Sequence, residues 1–299
     1  MSIFKDKPAP GDVIAGISVA LVLIPQSIAY ATLAGLPPIY GIYASILPSI
    51  VAAFFVSSRY LQTGPVAMTC LLTFGALASL ATPMSADYIG LAAMLALLVG
   101  IIRVLIGFIR GGYIAYLMSQ PVIAGFTAAA AVIIIATQIP TFVGVETTEQ
   151  GIIRAAVNAL IHPQLWSLSV LALGSICIVI ITFGRKLHPL FPGVLVAVIL
   201  GLIYSHFTNY DGAVIRSLPT GFPQLSLALP WGKFRELILP AIVIALVGFA
   251  EPAAIARTMA TQNRQTWSVN KEFISQGAAN IASGLCGCFP VGGSFSRTM

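Results

Sequence analysis

The sequence predicts an all-α polytopic membrane protein built from two inverted repeats, and three observations predict it. Hydrophobic residues make up 58% of the 299-residue chain and charged residues only 8%, against roughly 25% charged in an ordinary soluble domain. The apolar residues fall into runs close to the ~20 needed to cross the hydrocarbon of a bilayer. Two of the runs are short, and each is introduced by a Gly/Pro break.

The first span, residues 12–35, carries Pro25 and Gln26 in its middle. A cleaved signal peptide would be shorter and would end at a small-residue cleavage site, so this span is retained. A second span covers 39–56. The third segment, 66–81, follows Gly64-Pro65 and holds only 16 residues. Spans at 89–109, 114–138, 165–184 and 190–207 complete a first set of seven. Spans at 234–256 and 272–289 open a second set, and a tenth segment begins near Ser294 after Pro290-Val291-Gly292-Gly293. The third and tenth segments both look like half-helices that start in mid-membrane. Two seven-span units of opposite orientation produce that match.

The net charge is +6, from 15 Lys and Arg against nine Asp and Glu. The basic residues stand singly in the gaps between apolar runs, which excludes a nucleic-acid footprint and makes them topology signals. With the amino terminus in the cytoplasm, Lys5, Lys7, Arg59, Arg103, Arg110, Arg185, Lys186, Arg257, Arg264 and Lys271 lie inside, and Arg154, Arg216, Lys233 and Arg235 outside. Trp166 and Trp231 fall at span entrances, where interfacial anchors sit.

Cys70, Cys177, Cys286 and Cys288 lie in or beside apolar segments, so packing is the reading rather than a disulfide framework or a zinc site. His162, His188 and His206 fall at span ends or in loops without ligand spacing. Gly100, Gly107, Gly125 and Gly201 read as helix-packing positions. No catalytic triad, phosphate-cradling loop or carboxylate pair occurs, so neither an enzyme, a cofactor nor a metal is expected.

Proline at 25 removes a backbone donor and frees a carbonyl of the preceding turn, and Gln26 adds an amide able to donate to an anion. A simple proline kink with an interhelical glutamine bond is the alternative. The residues after Gly64-Pro65 and after Pro290-Val291-Gly292-Gly293 open two half-helices whose first N–H groups lack partners. At roughly +0.5 charge each, two such N-termini facing one another suit an anion without any ionised side chain. Ordinary loops are the alternative. Glu251 lies deep in an apolar helix, where an ionised carboxylate costs at least about 2.5 kcal/mol. It must therefore be paired, protonated or open to a cavity, and proton uptake with substrate is the expectation. Arg297, near the start of the tenth segment, needs negative compensation from Glu251 or from a bound anion.

The motifs Pro25-Gln26-Ser27-Ile28-Ala29-Tyr30-Ala31, Leu33-Ala34-Gly35-Leu36-Pro37-Pro38-Ile39-Tyr40-Gly41-Ile42-Tyr43, Gly64-Pro65-Val66-Ala67, Gly248-Phe249-Ala250-Glu251, Gln276-Gly277-Ala278-Ala279-Asn280 and Pro290-Val291-Gly292-Gly293-Ser294-Phe295-Ser296-Arg297-Thr298 resemble signatures of the sulfate permease (SulP) family, in order and over the whole chain. The resemblance implies the seven-plus-seven inverted-repeat transporter fold, with a core domain moving against a gate domain. Residues 1–110 would be the core part of the first repeat, 111–210 its gate part, and 234–299 the core part of an incomplete second repeat without a STAS domain. It also implies an anion site made of Gln26, Tyr30, Val66, Ala67, Glu251, Ser294, Ser296 and Arg297, with Glu251 coupling to protons.

The expected function is secondary active transport of sulfate or a similar small anion, by proton symport or anion exchange. Bicarbonate, dicarboxylate or chloride transport is one alternative, and a non-transporting membrane fragment or scaffold another. The expected location is the cell membrane, with lipid and a small anion as partners, and the resemblance leaves room for a homodimer. Two departures stand out. The chain stops at the start of the tenth segment, so the expectation is a piece of a longer protein that does not transport alone. Sodium-coupled bicarbonate relatives place a hydroxyl one turn after the acidic residue of the eighth span, where this chain has Ile255. Sodium coupling is disfavoured accordingly.

Overall fold

The structure, a computed structural model, describes residues 10–116, 120–145, 151–187, 193–208, 210, 221–222, 225, 229–294 and 297–298. Its helices are α1 (Pro10–Leu33), α2 (Pro38–Phe55), α3 (Ala67–Leu77), α4 (Ala86–Phe108), α5 (Gln120–Val143), α6 (Ile152–Ile161), α7 (Leu168–Leu187), α8 (Gly193–Phe207), α9 (Phe234–Gln262) and α10 (Val269–Leu285). Two three-residue strands, β1 (Gln62–Gly64) and β2 (Gly292–Ser294), precede α3 and follow α10. Among the described residues, α1, α2, α4 and α9 contain stretches long and apolar enough to cross a membrane.

The chain forms two compact units. One comprises residues 26–127 and 218–299 together with the first seven residues, and the other 8–25 and 128–217. The division falls within α1 between Pro25 and Gln26, where the proline cannot donate to the carbonyl one turn back.

In the first unit, α10 lies along α4 at backbone contact. A Cβ on Gly100 would sit 2.6 Å from Ile281 N and 2.7 Å from the Gly277 carbonyl oxygen. One on Gly277 would sit 2.8 Å from Val104 N, and one on Gly284 2.7 Å from the Ala93 oxygen. Gly107 meets Ile274 and the Asn270 carbonyl in the same way. Glycines two turns apart on both helices therefore make a seam in which dispersion replaces the hydrophobic drive that lipid does not supply. Gly125 and Gly201 play no such part, since a Cβ on either meets nothing within 4 Å among the described residues. The core around the seam includes Tyr88, Met94, Leu95, Leu98, Leu237 and Ile244. Beside it, Phe249 of α9 stacks on Phe273 of α10 with centroids 3.6 Å apart.

Several boundaries differ from the sequence expectation. The fifth helix starts at Gln120 rather than 114, because Gly111–Tyr116 closes a 3-10 turn after α4. Helix α6 is absent from the hydropathy reading; its ten residues are apolar but too few to register as a span. In the second unit, Trp166 follows it and donates to the Ala159 carbonyl at 2.8 Å, so its indole N–H is bound to protein. α9 continues to Gln262, and α10 covers 269–285 where 272–289 was expected, leaving the residues before β2 non-helical. His188 lies outside the described residues. All four cysteines are free thiols.

Gly277→Ala drives a methyl into the α4 backbone. It is expected to lower the thermal midpoint in detergent, with an overpacking cost of about 1–3 kcal/mol. Gly201→Ala, with open space around it, leaves the midpoint unchanged in the same differential scanning fluorimetry experiment.

Candidate functional site

The first unit brings two non-helical segments together. β1 and β2 run antiparallel, pairing Gln62 with Ser294, Thr63 with Gly293 and Gly64 with Gly292. A chain that leaves the helix among apolar neighbours must find partners for its N–H and C=O groups, and here each segment supplies them to the other. After β1, Pro65 and the N-cap residue Val66 turn the chain into the 11-residue α3, and no side chain caps that helix. Thr69 turns inward and donates to the Val66 carbonyl at 3.1 Å.

Helix α10 supports the pair from behind with a row of buried polar side chains. Asn280 Nδ2 donates to the Val291 carbonyl at 2.9 Å, while Val291 N donates to Asn280 Oδ1 at 2.9 Å. This reciprocal pair acts as a strand edge would for one residue. Gln276 Nε2 donates to Thr63 Oγ1 at 2.7 Å, and Ser283 Oγ to the Phe289 carbonyl at 2.6 Å.

Arg297 is buried at the far end of this arrangement. Its Nε donates to Gln62 Oε1 at 2.6 Å, Nη1 to Gln26 Oε1 at 2.9 Å and Nη2 to the Pro65 carbonyl at 2.8 Å. Gln26 Nε2 in turn donates to the Tyr30 hydroxyl at 2.9 Å. The residue after the proline break of α1 is thereby joined to the lead-ins of both re-entrant segments. All three acceptors of the guanidinium are neutral.

The expected compensation by Glu251 takes a different form. Glu251 sits on α9 immediately before Pro252, half-buried and within electrostatic reach of Arg297. Among the described residues it makes no hydrogen bond and no ion pair within 4.0 Å. The reason is geometric, because the Arg297 fork is already turned onto the two glutamines and Pro65.

Of the expected site residues, Gln26, Tyr30 and Arg297 form one hydrogen-bonded network. Val66 touches the second segment, since a Cβ on Gly292 would lie 3.2 Å from its Cγ2. Ala67 is the first residue of α3, and Ser294 the buried end of β2, its carbonyl accepting from Thr298 Oγ1. Ser296 lies outside the described residues. Gln62 escaped the sequence reading, while Asn280 entered it only within the Gln276–Asn280 motif and Arg103 only as a topology signal. The signal for Gln62 was an amide two residues before Gly64-Pro65. For Arg103 it was a charge inside the 23-residue apolar α4, where it is fully buried instead of standing at a membrane surface.

Comparison with known proteins agrees with this architecture. The signature of the Sulfate permease family matches residues 10–299. The chain belongs to that family. A probable sulfate transporter of Mycobacterium tuberculosis is 38% identical over 294 residues, covering 96% of this chain and 52% of its own length. The chloroplastic sulfate transporter 4.1 of Arabidopsis thaliana is 35% identical over 302 residues, covering 96% and 43%. The chain spans about half the length of these curated relatives.

The fold matches that of the murine solute carrier 26 family member A9 anion transporter in its inward-facing state, with a TM-score of 0.88 and 21% identity, over 100% of this chain and 54% of the other. It also matches the transmembrane domain of a cyanobacterium bicarbonate transporter, with a TM-score of 0.86 and 22% identity, over 97% and 75%. The protein is a multi-pass membrane protein with the inverted-repeat fold of these structures.

Replacing Asn280 by Leu leaves the buried Val291 N–H without an acceptor. The expected cost is about 1–3 kcal/mol of stability, seen as a lowered thermal midpoint and faster amide exchange at Val291–Ser294 by hydrogen–deuterium exchange mass spectrometry.

Proposed function

We propose that the paired segments of this chain hold the substrate of a secondary active transporter for sulfate or a similar small anion. The observation that carries the reading is the Arg297 guanidinium, buried and, among the described residues, bound to neutral oxygens alone. An arginine has five N–H donors and keeps its charge in proteins, so three neutral acceptors leave both charge and donors available. An anion arriving beside Gln26, Tyr30, Val66, Ala67 and Ser294 meets that charge together with amide and hydroxyl groups. Donors of this kind bind and release a hydrated anion more readily than a fixed salt bridge does. Relatives named as sulfate transporters support sulfate as the preferred ion.

Glu251 is the proton-coupling group of this reading. It is half-buried, unpaired among the described residues, and close enough to Arg297 for its charge to compete with that of the substrate. A proton on Glu251 removes the competition, so proton and anion enter together. Residues 1–110 and 234–299 form the core and 111–210 the gate of an alternating-access cycle; the two compact units support the grouping of 26–110 with 234–299, but join 111–127 to these and 8–25 to 128–217. The protein resides in the cell membrane with its amino terminus in the cytoplasm, supported by the excess of Lys and Arg in the gaps assigned to that side.

Full-length protein in proteoliposomes is expected to take up labelled sulfate under an inward proton gradient, with competition ordered sulfate before bicarbonate, dicarboxylate and chloride. Absence of uptake of every anion in the panel would sink the transport reading. Glu251→Gln is expected to abolish the response of uptake to the proton gradient while sulfate binding persists. An unchanged pH response removes Glu251 from coupling.

A further inference from the structure

Arg103 lies on α4 with none of its surface exposed. Its Nε donates to the Ala245 carbonyl at 3.2 Å, Nη2 to the Ile244 carbonyl at 3.1 Å and Nη1 to the Val291 carbonyl at 3.1 Å. The Phe249 ring centroid is 6.0 Å from the guanidinium carbon. Two of the acceptors belong to α9, the helix of Glu251, and the third to the residue that leads into β2. Among the described residues no carboxylate lies within 4.0 Å of this group. Carbonyl dipoles solvate a cation but do not cancel its charge.

The position of this charge is set by Gly248. A Cβ on Gly248 would stand 3.0 Å from Arg103 Nη2 and 3.3 Å from Thr69 Cγ2. A Cβ on Gly292 would stand 3.2 Å from Val66 Cγ2, 3.6 Å from Thr69 Cγ2 and 3.7 Å from the Gly248 carbonyl oxygen. Gly248 thus lies between the guanidinium and Thr69 in the first turn of α3, while Nη1 reaches the residue directly before β2. Glu251 is three residues further along α9, about one turn.

We propose that Arg103 is an electrostatic positioning residue: a buried, un-neutralised positive charge behind Gly248 that strengthens anion binding in proportion to anion charge, while its fork ties α9 to Val291. The inference rests on the reading of the paired segments as an anion site. Arg297 faces the ligand directly, whereas Arg103 acts through one layer of protein and touches no substrate. Its contribution is a field, and a field is measured by valence. The Coulomb energy of an anion in a fixed potential scales with its charge, and low-polarity surroundings screen it weakly.

Affinities for sulfate and nitrate, two oxyanions of different charge, are to be measured by isothermal titration calorimetry on full-length protein in detergent, with size-exclusion profiles and thermal midpoints recorded for every variant. Arg103→Gln is expected to weaken nitrate about tenfold and sulfate about a hundredfold, the factor squaring as the anion charge doubles. Arg103→Lys keeps the charge but not the three-way fork, so the sulfate-to-nitrate ratio stays at the wild-type value while the thermal midpoint falls. Arg103→Met removes the charge while filling much of the same buried space, a replacement that buried charges often tolerate. It is expected to reproduce the valence-weighted loss, and it carries the test where Arg103→Gln does not fold.

Equal loss of both anions in these variants, or no loss, overturns the proposal and leaves the anion site standing. Wild-type protein that binds neither anion overturns both.

Discussion

A peptide group without a hydrogen-bond partner is costly among apolar helices, and the first unit of this protein is organised around that constraint. Two segments leave the helical ladder, at 56–66 and 286–294, and each must be satisfied from outside itself. Pairing β1 with β2 meets part of the need. The rest falls to α10, whose Asn280, Gln276 and Ser283 reach the two segments, and to Arg103 on α4. The glycine seam between α4 and α10 serves the same end, because only helices at backbone contact bring Arg103 and Asn280 onto one carbonyl, that of Val291.

This support is polar but largely uncharged, and the consequence for electrostatics is direct. Arg297 and Arg103 are both held by neutral oxygens, while Glu251 on the intervening helix makes no ion pair with either among the described residues. Buried ion pairs lock side chains together, since breaking one leaves an uncompensated charge. Neutral acceptors fix a guanidinium in place without consuming its charge. Among the described residues the arrangement is therefore held in place yet left with uncancelled positive charge.

Much of the candidate site was legible in the sequence because its members break a strong pattern. Gln26 beside Pro25, the Gly64-Pro65 and Pro290-Val291-Gly292-Gly293 breaks, and Glu251 in an apolar helix are all conspicuous against a chain in which only 8% of residues are charged. The supporting residues were harder to read. Arg103 resembles any basic residue near a span end, and only packing shows it turned inward onto three carbonyls. Gln62 and Asn280 act through partners more than 200 and 11 residues away, respectively. Helix α6 was missed because a hydropathy window for spans needs length, and that apolar helix has only ten residues.

The sequence by itself determined that this chain is a membrane protein with two short segments introduced by matching Gly/Pro breaks, because composition, run length and helix breakers act locally and need no knowledge of neighbours. The tertiary structure alone decided how the charges are arranged. Arg297 could have paired with Glu251, and the sequence left that choice open. Long side chains choose partners by angle and distance across elements remote in the chain. The strand register beside Gln62, and the backbone contact that turns Arg103 inward, fix those angles.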